Sequence, residues 1–124
     1  MLNELLSNPI PPVNLTGLTG SVATTTLFTM PSNNNGMCLV AYDLVTTTAG
    51  TAGNVSVNFN WLPVAGLTVA TTGATLALST LGAEASGVFA LSTAAGQPVT
   101  FSTTVSSATG SPVYSLRVRI IYLG

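Results

Sequence analysis

Charge is what this sequence has least of. Among 124 residues only Glu4, Asp43, Glu84, Arg117 and Arg119 are ionic, 4% of the chain, where an ordinary soluble domain carries about 25%. Two arginines cannot form the basic stripe that follows a phosphate backbone, so no nucleic acid is expected as a partner. There is no histidine. No cluster of His, Cys, Asp or Glu falls at ligand spacing, and no metal or other cofactor is expected. Paired-carboxylate catalysis needs two acids within about 5–10 Å, and nothing in the spacing of Asp43 and Glu84 brings them together. No enzyme is expected. Cys38 is the one cysteine. It excludes an internal disulfide and reads as a small buried apolar residue. No apolar run is long enough to span a bilayer, and no basic-then-apolar leader opens the chain, so no signal peptide is expected. The aromatics are few and scattered, without the two girdles of a membrane barrel.

What is present is alternation. In residues 54–61, NVSVNFNW, the apolar Val55, Val57, Phe59 and Trp61 take every second place, and Asn54, Ser56, Asn58 and Asn60 fill the gaps. A strand turns successive side chains to opposite faces, so this segment offers one apolar wall and one wall of amides and a hydroxyl. The same phasing predicts strands over 21–30 and 37–46. In the latter, Cys38, Val40, Tyr42 and Leu44 oppose Met37, Leu39, Ala41, Asp43 and Val45. It also predicts strands over 86–93, 99–106 and 114–122. Residues 67–81 read as two short strands, or as one strand with a bulge at Gly73. Turn signals fall between the segments, at 31–36, 47–53, 94–98 and 108–112. Seven or eight short strands at this spacing predict an all-β fold, an antiparallel β-sandwich with the jelly roll as a candidate arrangement.

Residues 1–14, MLNELLSNPIPPVN, differ from the rest. Leu2, Leu5 and Leu6 share one side of a short helix too brief to stand alone. Pro9, Pro11 and Pro12 then impose an extended path. We therefore expect a short N-terminal arm over 1–16 and a β-sandwich domain over 17–124. The arm either lids its own sheet or reaches a neighbouring subunit. Mean hydropathy is +0.60 and net charge −1, so charge repulsion does little to keep copies apart. Such a chain is expected to work packed among other subunits. Leu2, Leu5, Leu6, Pro9, Ile10 and Pro12 of the arm are candidate interface residues. So are Arg117 and Arg119, on one face of the last strand, which either bind an acidic patch on a partner or pair with Asp43 and Glu84. Trp61 is expected as a core anchor beside Phe59, with a sugar-stacking platform as its rival role.

Two stretches carry a family likeness. TTTLFTMPSNNNGMCLVAYDLVTTTAGTAGNVSVNFNW (24–61) and SGVFALSTAAGQPVTFSTTVSSATGSPVYSLRVRIIYL (86–123) resemble a group of small Thr-rich β-domains from tailed bacteriophages and prophages. In that group a Thr-Leu-Phe-Thr-Pro-like start leads to a Tyr-containing strand, a Thr-Thr-Ala-Gly turn and an alternating strand ending in Trp. Near the end, an aromatic-Ser-Thr-Thr strand precedes a Tyr-x-Leu strand. This chain departs from it in Met30, inserted before the proline, and in an apolar WLPVAGL turn over 61–67 that favours a packed contact. The resemblance implies a virion structural part, assembled in the host cytoplasm. One reading is a capsid decoration (cement) protein, a homo-oligomer and by expectation a trimer, whose partner is the major capsid protein or another virion protein. The scarcity of charge and the leucine-bearing arm motivate it. The alternative is a tail, baseplate or fibre component, holding receptor glycans through Trp61, Tyr114 or the loop at Asn33, Asn34 and Asn35.

Overall fold

The computed structural model describes residues 10–64 and 66–124. Among them there is no helix, and eight strands follow one another: β1 (Val13–Leu18), β2 (Thr25–Thr29), β3 (Gly36–Thr48), β4 (Ala52–Val64), β5 (Leu67–Ala77), β6 (Glu84–Thr93), β7 (Pro98–Thr109) and β8 (Val113–Tyr122). One sheet has the order β1-β8-β3-β6, the other β2-β7-β4-β5, and neighbouring strands are antiparallel throughout. Only the β4–β5 connection stays within a sheet; each of the others crosses to the opposite one. This two-sheet order of eight strands is the jelly-roll form of the antiparallel β-sandwich.

The alternation decides which side of each strand faces inward. Cys38, Val40 and Leu44 on β3, Val55, Val57 and Phe59 on β4, Val99 and Phe101 on β7, and Leu116 and Val118 on β8 are buried between the sheets. Register keeps them in rows: Val40 lies between Phe89 and Ile120, and Phe59 opposite Phe101. Aromatic rings join the two sheets. Tyr42 and Phe59 lie 5.6 Å apart and Phe59 and Phe89 5.1 Å, while Trp61 stacks on Phe89 at 5.8 Å. Such pairs add about 0.5–1.5 kcal/mol each beyond the area they bury. Trp61 is thus a core anchor, half-buried and one ring removed from Phe59.

Tyr42 fits because two strands give way to it. A Cβ at Gly73 would stand 2.7 Å from its ring, and one at Gly87 2.6 Å from its hydroxyl. Near Gly73 the β4–β5 register slips by one residue, the bulge that the sequence suggested within a single strand. The Ala74 N–H donates to the Tyr42 hydroxyl at 2.8 Å. The inward Thr103 is satisfied in the same manner. Its hydroxyl accepts from the Val22 N–H at 2.8 Å and shares a 2.7 Å bond with the Tyr114 hydroxyl, which also donates to the Gly20 carbonyl at 2.7 Å. A buried hydroxyl without such partners would cost about 1–3 kcal/mol.

The start of the chain departs from the sequence reading. Strand structure begins at Val13 rather than Ser21, and β2 is confined to Thr25–Thr29. Val13–Leu18 is held by β8, with Val13 opposite Val118 and Leu15 opposite Leu116. Residues 21–24 still run beside β7, tied through Val22 and Thr103, but outside the regular ladder.

Candidate assembly surface

The two outer faces of the sandwich differ in chemistry. On the β2-β7-β4-β5 sheet, Asn54, Ser56, Asn58 and Asn60 of β4 stand opposite Ser106, Thr104, Ser102 and Thr100 of β7. Asn58 donates from Nδ2 to Thr104 Oγ1 at 2.9 Å and accepts from Thr72 Oγ1 at 3.2 Å. Among the described residues this face holds no ionic group.

All four ionic side chains of the described residues, Asp43, Glu84, Arg117 and Arg119, lie on the outer face of the other sheet. The pairing of β3 with both β6 and β8 sets them in rows. Arg117, Asp43 and Ser86 form one, Arg119, Ala41 and Val88 the next, and Ile121, Leu39 and Ala90 the third. Along the strands the face therefore passes from ionic to apolar. Val88 is 66% exposed, Met37 47% and Ile121 46%. Contiguous apolar surface rimmed by polar groups marks a contact site. Arg117 donates from Nη2 to Asp43 Oδ2 at 3.1 Å, the structural pairing that the sequence allowed. Because Arg117 is 67% exposed, this ion pair contributes no more than about 1 kcal/mol. The second carboxylate oxygen, Asp43 Oδ1, is buried and accepts no hydrogen bond among the described residues. Arg119 has no carboxylate partner among them.

A shallow groove of about 400 Å³ runs along this face where β1 meets β8, lined by Pro12, Val13, Asn14, Ala41, Asp43, Arg117 and Arg119 among others. It brings together three of the sequence-predicted interface residues, Pro12, Arg117 and Arg119. Ile10 packs, half-buried, against the core. Leu2, Leu5, Leu6 and Pro9 lie outside the described residues. The sequence reading did not single out Val88 and Ala90. Their signal was present, because they alternate with the inward Phe89 and Leu91.

The remaining reactive groups are enclosed. Cys38 is fully buried, and burial pushes its thiol up to about 11, which leaves it protonated and unreactive near neutrality. Burial also raises the Tyr114 hydroxyl, and the bond to Thr103 offsets part of that rise. Tyr114 is fully buried and enclosed by its hydrogen bonds, so it presents no free ring to a sugar, while Trp61 is half-buried with one face stacked on Phe89. Asn35 caps the neighbouring loop, accepting from the Ala95 N–H at 2.9 Å.

No protein-family model matches the chain, and no curated protein matches it in sequence. Among solved structures, a chain from the acidic stable capsid of Helicobacter pylori bacteriophage KHP30 is similar in fold, with a TM-score of 0.52 at 17% identity, over 94% of this chain and 90% of that one. The CBM22-1–GH10 modules of Clostridium thermocellum xylanase 10B give a TM-score of 0.47 at 14% identity, over 90% of this chain and 28% of that one. A chain of infectious bursal disease virus, Gx strain, gives 0.41 at 16%, over 92% and 32% respectively. At these identities the likeness is one of fold.

Proposed function

We propose that this chain is a non-enzymatic structural part of a bacteriophage particle, and within it a decoration protein that cements the head by binding the major capsid protein. The observation that carries the reading is the one-sidedness of the sandwich. A cement subunit needs one face that sits on the shell and one that meets solvent. Here the β1-β8-β3-β6 face gathers the ionic groups that fix orientation together with the exposed Val88, Met37 and Ile121, and the opposite face is neutral, with amides and hydroxyls paired along β4 and β7 and exposed Val64 and Leu67 at its β4–β5 turn. The KHP30 capsid chain, nearly matched in length and similar in fold, supports the same reading.

On this reading the subunit is a homo-oligomer, by expectation a trimer, that joins the virion after synthesis in the host cytoplasm. Its stability on the particle depends on occupancy, as for any ligand that binds only the assembled state. A tail, baseplate or fibre role through glycan stacking has less support, because Tyr114 is buried and one face of Trp61 is taken up by Phe89.

The test is a phage population lacking the protein. Its heads should form and infect, yet lose DNA on heating or in low salt at milder conditions than wild type. Adding back purified protein should restore resistance. Heads as resistant without it as with it would refute the cement role.

A further inference from the structure

We infer that the groove beside Arg119 receives the N-terminal arm of a second copy of this chain, with the Glu4 carboxylate of the arm on the Arg119 guanidinium of its neighbour. Two observations meet here. The first is charge accounting. Arg117 pairs with Asp43 through one carboxylate oxygen, Arg119 and Glu84 are left without an ionic partner among the described residues, Glu84 on the far edge strand β6, and the sequence outside them contains a single ionic residue, Glu4. The second is matching apolar character. Leu2, Leu5 and Leu6 flank Glu4, and Ala41, Val88, Leu39 and Ile121 flank Arg119 on the sheet.

The exit of the chain selects a neighbour's groove over its own. β1 runs antiparallel to β8, with Asn14 opposite Arg117, so going backwards from Val13 the chain heads past Arg119 and Ile121 and off the sheet. Pro9, Pro11 and Pro12 restrict the residues before them to extended backbone. Glu4 lies six residues before Ile10, a length of chain that reaches at most about 20 Å, which allows it to cross to a neighbouring subunit. Each copy then donates one arm and accepts one, as in a two-fold exchange or a closed head-to-tail ring.

The purified full-length protein, without heads, tests this inference separately from the cement role. Sedimentation should show a concentration-dependent oligomer. Glu4→Arg alone and Arg119→Glu alone should each weaken association at least tenfold, with an unchanged urea midpoint, and the double exchange should recover most of the loss. In a mixture of Glu4→Cys and Arg119→Cys chains, oxidation should give a disulfide between copies. A wild-type monomer at all concentrations, singles without effect, or a double variant that recovers nothing would overturn the inference. So would a Glu4→Cys/Arg119→Cys chain that closes only on itself.

Discussion

The two outer faces of this sandwich grow from the same strand rule and end with opposite chemistry. On β4 and β7 the residues between the buried ones are Asn, Ser and Thr, paired row by row from Asn54 with Ser106 to Asn60 with Thr100. On β3, β6 and β8 the same positions hold Leu39, Ala41, Val88, Ala90 and Ile121, interrupted by Asp43, Arg117, Arg119 and Glu84. A face of short neutral polar groups satisfies much of its hydrogen bonding with itself, as the Thr72–Asn58–Thr104 chain does, and needs nothing further than water. A face of bare aliphatic groups around a few charges has both a reason to be covered and the means to choose what covers it. The difference teaches that the scarcity of charge is a matter of placement: the few ionic groups of the described residues are all spent on one side.

The largest perturbation breaks both faces at once. Phe59→Ala removes the ring between Tyr42 and Phe89 that couples the sheets. It should lower unfolding free energy by about 3–5 kcal/mol, read as a shift of the urea midpoint. Next comes a matched pair that separates the faces. Val88→Glu and Ser102→Glu put the same carboxylate on opposite sides, and each should leave stability within about 0.5 kcal/mol. Only Val88→Glu should weaken binding to undecorated heads, by about a hundredfold, since an unpaired charge buried in a contact costs about 3 kcal/mol or more. Equal binding by the two variants would remove the distinction between the faces.

A smaller effect tests the interior from which the faces hang. Tyr114→Phe leaves Thr103 and the Gly20 carbonyl short of a partner and should cost about 1–2 kcal/mol. The same residue sets a pH dependence. Its folded-state value lies above the ordinary 10.0, so the folded form holds the proton more tightly. The stability this contributes is complete below pH 10 and is lost as pH rises beyond it. Denaturation curves of wild type and Tyr114→Phe should therefore converge at high pH. Cys38, raised to about 11, acts with the same sign in both chains. The smallest effect belongs to the neutral face: Asn58→Ala should cost about 0.2–1 kcal/mol, the worth of a cross-strand polar pair. Its head binding should be unchanged.

Much of the fold was legible because alternation is a local signal. The central strands, from Gly36–Thr48 to Val113–Tyr122, lie where the phasing of Cys38 to Leu44 or Tyr114 to Tyr122 put them. β1 was not legible as a strand. Its six residues, VNLTGL, include a glycine with φ of 66° and alternate too briefly to stand out. What makes them a strand is β8, a hundred residues away in sequence. The candidate surface was half legible for a similar reason. Parity placed Arg117, Arg119 and Asp43 on outward faces, but only the pairing of β3 with both β6 and β8 put Val88, Ala41 and Arg119 in one row. That pairing is non-local and leaves no trace in any single segment.

The joining of the first strand to the last has a consequence for how the protein is made. A ribosome releases Val13–Leu18 about a hundred residues before its hydrogen-bonding partner β8 emerges. Until then the chain must wait with aliphatic stripes uncovered. Folds dominated by such distant contacts mature slowly and are prone to stick together in the interval. A protein with almost no charge to hold such chains apart is safest when that interval is short.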